Sequence, residues 1–310
     1  LKAPESEAKV YWGKCKSNLT WSYVSNTKTM VIDCKGDMPD DEQFYDLDMG
    51  WRKYYFKTKK VIFKKGISSI GAGAFYNFQK LEEVVLPEGL RIIKYDAFDG
   101  CRKLQFINKP STLEVIEKDV FWDVKIKSIS LKNLKKLGSE CFSGAKLQSV
   151  DIPAKCKIED SVFWSCKKLK KVTFEKGVKR ISYGMFRETG IKNIDIPGSV
   201  TQIGTYAFAN CQSLKKATIN EGVKKIGKDA FSNTALEEIT IPSTVTELGK
   251  NAFRWETTEK SSLKKVVIRS KNIKKWGTMV FGATRDDLVI YVPQSKKAEY
   301  EKILRSTNGL

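Results

Sequence analysis

A phenylalanine recurs along most of the chain at nearly constant spacing. Successive copies are 23, 23, 21, 21, 23, 22, 23, 22 and 28 residues apart. The apolar skeleton around it, V-x-x-I-G-x-x-A-F-x-x-C-x-x-L-x-x-A-x-I from Val200 to Ile219, returns with substitutions. A period of about 22 residues predicts a solenoid, because one such turn cannot bury its apolar face without the next. The repeated phenylalanines are Phe75, Phe98, Phe121, Phe142, Phe163, Phe186, Phe208, Phe231, Phe253 and Phe281.

Each turn then continues into the pattern L-x-x-I-x-I, as from Leu236 to Ile241. The last three residues alternate with period two, so the isoleucines point inward and the residue between them points outward. This period and strand pattern are typical of leucine-rich repeats, whose stacked strands form a parallel sheet on the concave side. We therefore predict an α/β-type solenoid, a right-handed leucine-rich-repeat superhelix of about ten turns.

The repeat occupies residues 61–293 and leaves a segment at each end. Residues 1–60 contain three apolar and aromatic runs separated by turn residues, at Val10–Trp12, Leu19–Val24 and Thr29–Ile32. They predict a hairpin-like N-terminal β cap that shields the first turn. Residues 294–310 predict a short amphipathic helix that closes the last turn through Ala298, Ile303 and Leu304.

Two irregularities interrupt the repeat. From Ile152 onward a proline follows the strand only in every second turn, and the sequence offers no functional reason for the alternation. The 28-residue step comes from extra polar residues around Trp255–Ser262, which predict a loop on one face. Such a loop suits either partner binding or a neutral insertion.

The chain is strongly basic, with 56 Lys and Arg against 36 Asp and Glu and a net charge of +20. This charge favours solubility and attracts polyanions, and it fits either a solvated lysine coat or a dedicated polyanion site. No apolar run reaches the roughly 20 residues that span a bilayer, so no membrane span is expected. The polar start LKAPESEAKV shows no signal peptide.

Histidine is absent from the sequence. Its absence removes the usual general base, the Ser-His-Asp and Cys-His nucleophile systems and the commonest metal ligand. No C-x-x-C spacing supports zinc either. The sequence therefore argues against an enzyme, and no cofactor is expected.

The repeat resembles the BspA-like (Treponema-type) leucine-rich repeats of bacterial cell-surface proteins. The likeness covers roughly residues 10–310 and rests on ten agreeing copies of the motif. The segment WGKCKSNLTWSYVSNTKTMVIDCKGDMPD is similar to that family's N-terminal module, and LVIYVPQSKKAEYEK resembles its C-terminal closure. Cys34 departs from the pattern, because glycine is usual there. Cys15, Trp21, Met30–Ile32, Gly36 and Met38 stand in matching places.

The resemblance implies an extracellular or cell-surface protein that works by adhesion or macromolecular recognition and carries out no chemistry. Its expected partner is a host or neighbouring-cell protein or glycan, and the signal or anchor for such a location is not in this sequence. The same residues leave open an intracellular interaction scaffold.

Most of the cysteines occupy apolar columns of the repeat. Cys101, Cys166 and Cys211 share the column three residues after the phenylalanine with Val, Ala and Thr, which indicates packing positions. Cys141 and Cys156 also stand in apolar columns. The one reasonable disulfide joins Cys15 to Cys34 across the predicted hairpin.

The outward strand positions form the first candidate site. They hold small polar side chains of mixed charge, which suit a chain-like ligand or a protein edge, although exposed strand positions are polar in any case. We interpret ten of them as a ligand-binding concave face: Ser149, Asp151, Lys171, Thr173, Asn193, Asp195, Lys216, Thr218, Glu238 and Thr240.

A lysine column beside these strands forms the second candidate site, the lysine rim. Stacked ammonium groups about 5 Å apart repel by an order of 1 kcal/mol in water, and an anionic polymer would relieve that repulsion. A solvated rim screened by salt explains the same pattern. The rim residues are Lys127, Lys170, Lys192, Lys215 and Lys264, opposed in the same column by Glu82 and Glu237.

Two further interpretations, a glycosidase and a sugar-binding aromatic platform, have less support. Asp151 and Asp195 stand two turns apart, so their carboxyl groups are expected about 9–10 Å from each other, near the upper end of the separation in inverting glycosidases. The sequence offers no apolar pocket that would raise the pKa of one of them. Trp122 and Trp164 each follow a core phenylalanine and suit either an exposed aromatic platform for sugars or a structural role at the turn.

Two functions from different classes remain. The first is protein or glycan recognition through the concave sheet. The second is binding of anionic polymers, such as sulfated glycans or cell-wall polyanions, through the lysine rim. Nucleic acid is not expected, because among the outward concave columns only Phe106 and Tyr291 supply the aromatic rings that single-strand readers use.

Overall fold

The computed structural model describes residues 8–16, 18–41, 49–255, 261–282 and 287–308. The chain divides into two compact units. Unit 1 comprises Leu1–Leu147 with Cys156–Ile158, and unit 2 comprises Gln148–Lys155 with Glu159–Leu310. Both units contain repeats whose strands pair in parallel, so the predicted solenoid of about ten turns is confirmed.

The strands of the first half of the chain are β1 (Val10–Cys15), β2 (Leu19–Val24), β3 (Thr29–Cys34), β4 (Gly36–Asp37), β5 (Lys60–Phe63), β6 (Ile67–Ile70), β7 (Glu83–Val85), β8 (Ile92–Ile93), β9 (Phe106–Ile107), β10 (Val115–Ile116), β11 (Lys136–Leu137), β12 (Ser149–Ile152) and β13 (Lys157–Ile158).

The second half contains β14 (Lys171–Phe174), β15 (Arg180–Ile181), β16 (Asn193–Ile196), β17 (Gln202–Ile203), β18 (Lys216–Ile219), β19 (Lys225–Ile226), β20 (Glu238–Ile241), β21 (Glu247–Leu248), β22 (Lys265–Ile268), β23 (Lys275–Trp276) and β24 (Val289–Tyr291). These are followed by the helix α1 (Lys297–Asn308).

Unit 1 combines an antiparallel meander with two parallel ladders. Strands β1, β2 and β3 pair antiparallel, as the runs of apolar residues predict, and β3 then pairs parallel with β5. The order of this sheet is β1-β2-β3-β5-β7-β9, so the N-terminal strands extend the sheet of the repeats. A second ladder of short strands runs β13-β11-β10-β8-β6-β4.

Unit 2 repeats the same two ladders without a meander. The short strands form one five-stranded parallel sheet, β15-β17-β19-β21-β23. The long strands, which correspond to the I-x-I pattern, pair in parallel as β12-β14, β16-β18 and β20-β22-β24. The parallel pairing predicted from the stacked isoleucines is therefore confirmed.

Stacked phenylalanine rings fill the centre of each unit. In unit 1 the rings of Phe75, Phe98, Phe121 and Phe142 follow one another at centroid distances of 5.6, 5.7 and 5.4 Å. In unit 2 the rings from Phe163 to Phe281 stack at 5.7, 5.4, 5.1, 5.3 and 5.5 Å. All ten side chains are buried. One aromatic column therefore joins successive turns within each unit.

The backbone around each phenylalanine forms turns instead of a helix. The residue two positions before it has a positive φ, as in Asp96 (55°), Ser161 (57°) and Tyr206 (56°). A positive φ also recurs two positions after it, as in Asn77 (61°) and Asn210 (59°). Left-handed residues cannot continue a right-handed helix. Within the described residues the α component of the predicted α/β solenoid is therefore the C-terminal helix α1 alone.

The N-terminal segment places a tryptophan on the end of the phenylalanine column of unit 1. Trp51 is fully buried, stacks on Phe75 at 6.3 Å and donates its indole N–H to the Ala74 carbonyl at 3.1 Å. The Arg52 guanidinium forms a buried ion pair with Asp41 at 3.5 Å and donates to the Tyr76 carbonyl at 3.0 Å. These contacts shield the first turn, as the sequence predicts for a cap.

Helix α1 packs on the last turn of unit 2 through residues that the sequence analysis only partly identified. Leu304 is buried, but Ala298 is exposed and Ile303 is half-buried. The main anchor is Tyr300, one helical turn before Leu304. Its ring meets Trp276 edge-on at 5.0 Å, and its hydroxyl accepts from the Ile273 N–H at 3.2 Å. The boundaries 1–60, 61–293 and 294–310 remain a proposal, and residues 256–260 of the predicted loop lie outside the described residues.

The alternating prolines coincide with interruptions of the long-strand ladder in unit 2. In turns without proline, the backbone N–H of the residue after the long strand donates to the carbonyl of the last isoleucine in the long strand of the preceding turn. These bonds join Glu175 to Ile152, Asn220 to Ile196 and Arg269 to Ile241, at 2.9, 3.1 and 2.9 Å. Pro197 and Pro242 stand in the same position after β16 and β20 and have no N–H to donate. The described ladder is interrupted between β14 and β16 and between β18 and β20.

We predict that Phe208→Ala lowers the free energy of unfolding by about 3–5 kcal/mol, because it opens a cavity between two stacked neighbours. Phe208→Leu should lower it by less, since most of the volume is retained. Urea denaturation followed by circular dichroism measures both changes.

The control is Phe106→Ala, whose side chain is 62% exposed. It should change the free energy of unfolding by no more than about 0.5 kcal/mol. Equal losses for Phe208→Ala and Phe106→Ala would contradict the central role of the stacked column.

Candidate functional site

The long strands of unit 2 carry all ten residues predicted for the concave face. Strands β12 and β16 alternate exposed and buried positions, and β14, β18 and β20 alternate more exposed with less exposed ones, so the predicted residues share the outward side. Nine of the ten are exposed, and Thr240 is half-buried. We call this set the strand face.

Cross-strand pairs organise the strand face. Asp151 stands opposite Thr173, and Asp195 stands opposite Thr218 in register. Thr173 donates its hydroxyl to the Asp151 carboxylate. The Lys265 ammonium lies 3.7 Å from the Glu238 carboxylate on the neighbouring strand. The face therefore presents small polar groups and charges of both signs, held in place by neighbouring turns.

Asn220 also belongs to this surface and is not among the ten predicted residues. Its amide donates to the Asp195 carboxylate at 2.7 Å and to the Ile196 carbonyl at 2.9 Å. Asn220 follows β18, at the position that proline takes after β16. The signal in the sequence was the alternation of proline with residues that can donate a hydrogen bond.

The two aspartates that suggested a glycosidase act here as exposed hydrogen-bond acceptors. Asp151 and Asp195 lie on strands of separate sheets and each accepts from a side chain of the following turn. A general acid needs a carboxyl whose pKa is raised by an apolar pocket, and both side chains are instead exposed to water. This arrangement suits binding better than acid catalysis.

The lysine rim is exposed in both units. Lys127 belongs to unit 1, and the other four lysines belong to unit 2. The Lys215 N–H donates to the Lys192 carbonyl at 2.9 Å, so these two lysines occupy neighbouring turns. Across the described residues, none of the five ammonium groups forms an ion pair with a carboxylate. The rim is therefore a positively charged column without ion pairs, in which Glu237 stands on the turn next to Lys264.

The predicted bridge between Cys15 and Cys34 is not formed. Both residues stand opposite Leu19, Cys15 on β1 and Cys34 on β3, with β2 between them. Two strand spacings separate their Cα atoms by roughly 9–10 Å. A disulfide needs Cα atoms within about 7 Å, so the meander itself excludes the bond.

The cysteine column is buried, as predicted, but it also makes hydrogen bonds. The Cys101 thiol donates to the Phe75 carbonyl at 3.2 Å, and the Cys211 thiol donates to the Phe186 carbonyl at 3.0 Å. Thr234 of the same column donates to the Phe231 carbonyl at 2.9 Å. Burial raises the pKa of the Cys211 thiol to about 11. These cysteines therefore serve packing and backbone hydrogen bonding.

The two candidate tryptophans have different surroundings. Trp122 is 37% exposed, whereas Trp164 is half-buried beneath the Arg187 guanidinium, 5.6 Å from its ring. The same guanidinium lies 5.5 Å from the centre of the Tyr206 ring, and the Lys228 ammonium lies 5.7 Å from the centre of that ring. Trp164 thus takes part in a cation–π chain at the turns, which agrees with a structural role.

A partly buried carboxyl group in unit 1 departs from ordinary titration. Burial, together with the nearby Asp96 and Asp119 carboxylates, raises the pKa of Asp99 to about 7. No cluster of three or more His, Cys, Asp or Glu side chains suited to a metal ion occurs in the described ranges. A raised carboxyl pKa means that the folded state disfavours the charged form of Asp99, so its ionisation bears on stability.

A family profile described as "BspA type Leucine rich repeat region (6 copies)" matches residues 53–170 and 135–260. These ranges cover more than half of the chain. The chain belongs to the BspA-type leucine-rich-repeat family. The resemblance noted from the motif is thereby confirmed, and no curated protein matches the chain.

Solved structures of bacterial leucine-rich-repeat proteins share the fold of this BspA-type chain. A leucine-rich repeat protein from Eubacterium ventriosum is 20% identical, with a TM-score of 0.63, over 92% of this chain and 85% of the other. One from Bacteroides ovatus is 23% identical, with a TM-score of 0.59, over 95% and 79%. Among the described residues, no helix has the length and apolar character to cross a bilayer.

We predict that denatured, non-reduced protein titrates as seven thiols, the number of cysteines in the sequence. In the native protein the thiols should react with Ellman's reagent far more slowly, because burial and raised pKa values suppress the thiolate. A sample reduced and desalted beforehand serves as the control and should give the same count. A count of five thiols in the non-reduced sample would instead indicate that a disulfide such as Cys15–Cys34 is formed.

Asp99→Asn should stabilise unit 1 more at pH 8 than at pH 4. Because the folded-state pKa is raised to about 7, the wild-type protein loses stability as the pH rises from the ordinary value of 3.8 through 7. Asparagine does not titrate. After allowance for partial exposure we expect a gain of about 1 kcal/mol at pH 8, measured by thermal melts of both proteins.

Glu221→Gln serves as a control, because its effect on stability should depend on pH in the opposite direction. The Glu221 carboxylate accepts from the Ser243 N–H at 3.0 Å and the Ser243 hydroxyl at 2.8 Å, and these bonds lower its pKa. The charged Glu221 carboxylate therefore contributes to folding stability above the ordinary pKa of 4.5, and this contribution is lost as the pH falls through the lowered pKa. If the stability changes caused by Asp99→Asn and by Glu221→Gln followed the same pH dependence, both pKa assignments would be contradicted.

Proposed function

We propose that the chain is a non-enzymatic recognition protein of the bacterial cell surface or secretome that binds a host or neighbouring-cell protein through its strand face. Membership of the BspA-type family supports a protein-binding or recognition role in general. The observation that carries the proposal is the shared outward side of the ten predicted residues on consecutive long strands of unit 2.

The chemistry of the strand face supports a protein ligand. Asp151 and Asp195 offer carboxylate acceptors, Lys171 and Lys216 offer donors, and threonines between them add hydroxyls. A partner's chain can use such alternating groups along the strands, because adjacent turns repeat them at about 4.8 Å. Several are already held by neighbours, such as Thr173 on Asp151, which reduces the entropy lost on binding.

The lysine rim supports a second candidate, binding of an anionic polymer such as a sulfated glycan or a cell-wall polyanion. Its five ammonium groups have no carboxylate partner within the described chain. Charge-driven binding of this kind weakens with salt, whereas a strand-face interface built on hydrogen bonds and shape weakens much less. Salt therefore separates the two functions.

The test is binding of the full chain to immobilised host matrix proteins and to sulfated and neutral polysaccharides, at low and at high salt. If the strand face binds a protein, Asp151→Ala/Thr173→Ala/Asp195→Ala should weaken that binding at least about tenfold, and the wild-type interaction should survive high salt. The exposed pair Asp160→Ala/Thr201→Ala, outside the strand face, is the matched control and should bind as the wild type does.

The rim variant Lys170→Gln/Lys192→Gln/Lys215→Gln distinguishes the second function. Loss of all binding in this variant, together with loss of wild-type binding at high salt, would replace the strand-face proposal with the polyanion function. Protein binding that is unchanged by the strand-face substitutions would overturn the proposal directly.

A further inference from the structure

Unit 1 contains a groove of about 750 Å³ that no residue of the strand face or of the lysine rim lines. Its wall combines three tyrosines, a phenylalanine and a serine with six lysines and one glutamate. It lies where the N-terminal meander meets the first turns of the repeat, since Tyr11 and Tyr23 come from β1 and β2 and Lys103 comes from the second turn.

Three tyrosine side chains line this groove. The Tyr54 ring stacks on Tyr23 at 4.3 Å and lies 5.6 Å from Tyr11. Tyr23 is 3% exposed and Tyr54 is 7% exposed, so their rings are committed to packing. None of the three hydroxyls has a hydrogen-bond partner in the described chain. Burial raises the pKa of Tyr23 and of Tyr54, with a smaller contribution from Tyr11, so the phenols stay protonated and able to donate.

The lysines of the groove are largely uncompensated. Glu82 is the one acidic residue of the lining, and it pairs with Lys59 at 3.1 Å. The other five ammonium groups have no carboxylate partner among the described residues. One of them, Lys53, lies 5.5 Å from the Tyr54 ring. The groove therefore combines unused hydroxyl donors with excess positive charge.

Three of these lysines repeat along the solenoid. Lys57, Lys80 and Lys103 are 23 residues apart, the step of the repeat in this region. The residues two positions further on follow one another directly, because the Glu82 N–H donates to the Lys59 carbonyl at 2.7 Å and the Gln105 N–H to the Glu82 carbonyl at 3.1 Å. The lysines thus form a column with a rise of about 5 Å per turn, which matches a ligand with regularly spaced negative charges.

We propose that this groove binds an anionic polysaccharide, with sulfate or carboxylate groups on the lysine column and sugar hydroxyls on the tyrosine hydroxyls. The exposed faces of Tyr11 and Phe56, 42% and 53% accessible, can cover the apolar face of a sugar ring. A single-stranded nucleic acid needs a series of open aromatic faces for its bases, and here two of the tyrosine rings cover each other. The chemistry therefore favours a glycan.

The test measures binding of the full chain to heparin oligosaccharides, hyaluronan, neutral dextran and a single-stranded oligothymidylate at physiological salt. Heparin and hyaluronan should bind, and dextran should not. Lys57→Gln/Lys80→Gln/Lys103→Gln should weaken heparin binding at least about tenfold. Tyr23→Phe/Tyr54→Phe keeps both rings and should weaken it about two- to tenfold through the lost hydrogen bonds.

Lys176→Gln/Lys179→Gln/Lys224→Gln is the matched control, since it removes the same charge from exposed lysines outside the groove, the strand face and the lysine rim. It should retain heparin binding, and thermal melts check that all variants fold. Equal losses in the two lysine variants would show attraction to net charge and overturn the site. Tighter binding to oligothymidylate than to heparin, or an unchanged affinity in the tyrosine variant, would overturn the polysaccharide assignment. Because the strand-face variant leaves this groove intact, failure of one proposal is distinguishable from failure of the other.

Discussion

The packing of one phenylalanine ring on the next is the contact on which each unit depends. Within a unit, the phenylalanine N–H also donates to the carbonyl of the residue that precedes the next phenylalanine, as Phe186 does to Ala207 and Phe208 to Ala230, at 2.9 and 2.8 Å. Ring and backbone therefore fix the same spacing between turns. The long strands, with their outward polar residues, are positioned by this spacing, so the strand face is a consequence of a buried contact.

Much of this fold was predictable because ten copies of the repeat agree on which positions are apolar, so a substitution in one copy does not obscure the pattern. A single I-x-I triplet is ambiguous, but ten turns in register determine which residues point inward, and the exposure of Asp151 and Asp195 agrees. The turns around the phenylalanine were not predicted as such. The sequence signal for these turns is the recurrence of Asp, Asn and Gly two residues from the phenylalanine, since these residues tolerate a positive φ.

The sites were harder to predict than the fold, because they depend on contacts between segments without a repeat. The spacing of Cys15 and Cys34 suggested a bridge, yet only the register around Leu19 shows that a strand separates them. The groove of unit 1 joins Tyr11, Tyr23 and Tyr54 from outside the repeat with Lys80 and Lys103 from inside it. No periodicity connects such residues, so composition alone could not bring them together.

The interrupted ladder of unit 2 has a consequence for how such a chain can grow. Its long strands are hydrogen-bonded in sets that begin with a proline-ended strand, and Phe163, Phe208 and Phe253 are successively 45 residues apart. Duplication of a two-turn segment preserves both the aromatic column and the alternation of proline with a donor. Duplication of a single proline-ended turn would set two proline-ended strands side by side and remove one more cross-turn hydrogen bond, and duplication of the other kind of turn would also break the alternation. The natural module for lengthening this protein, by evolution or by design, is therefore the pair of turns.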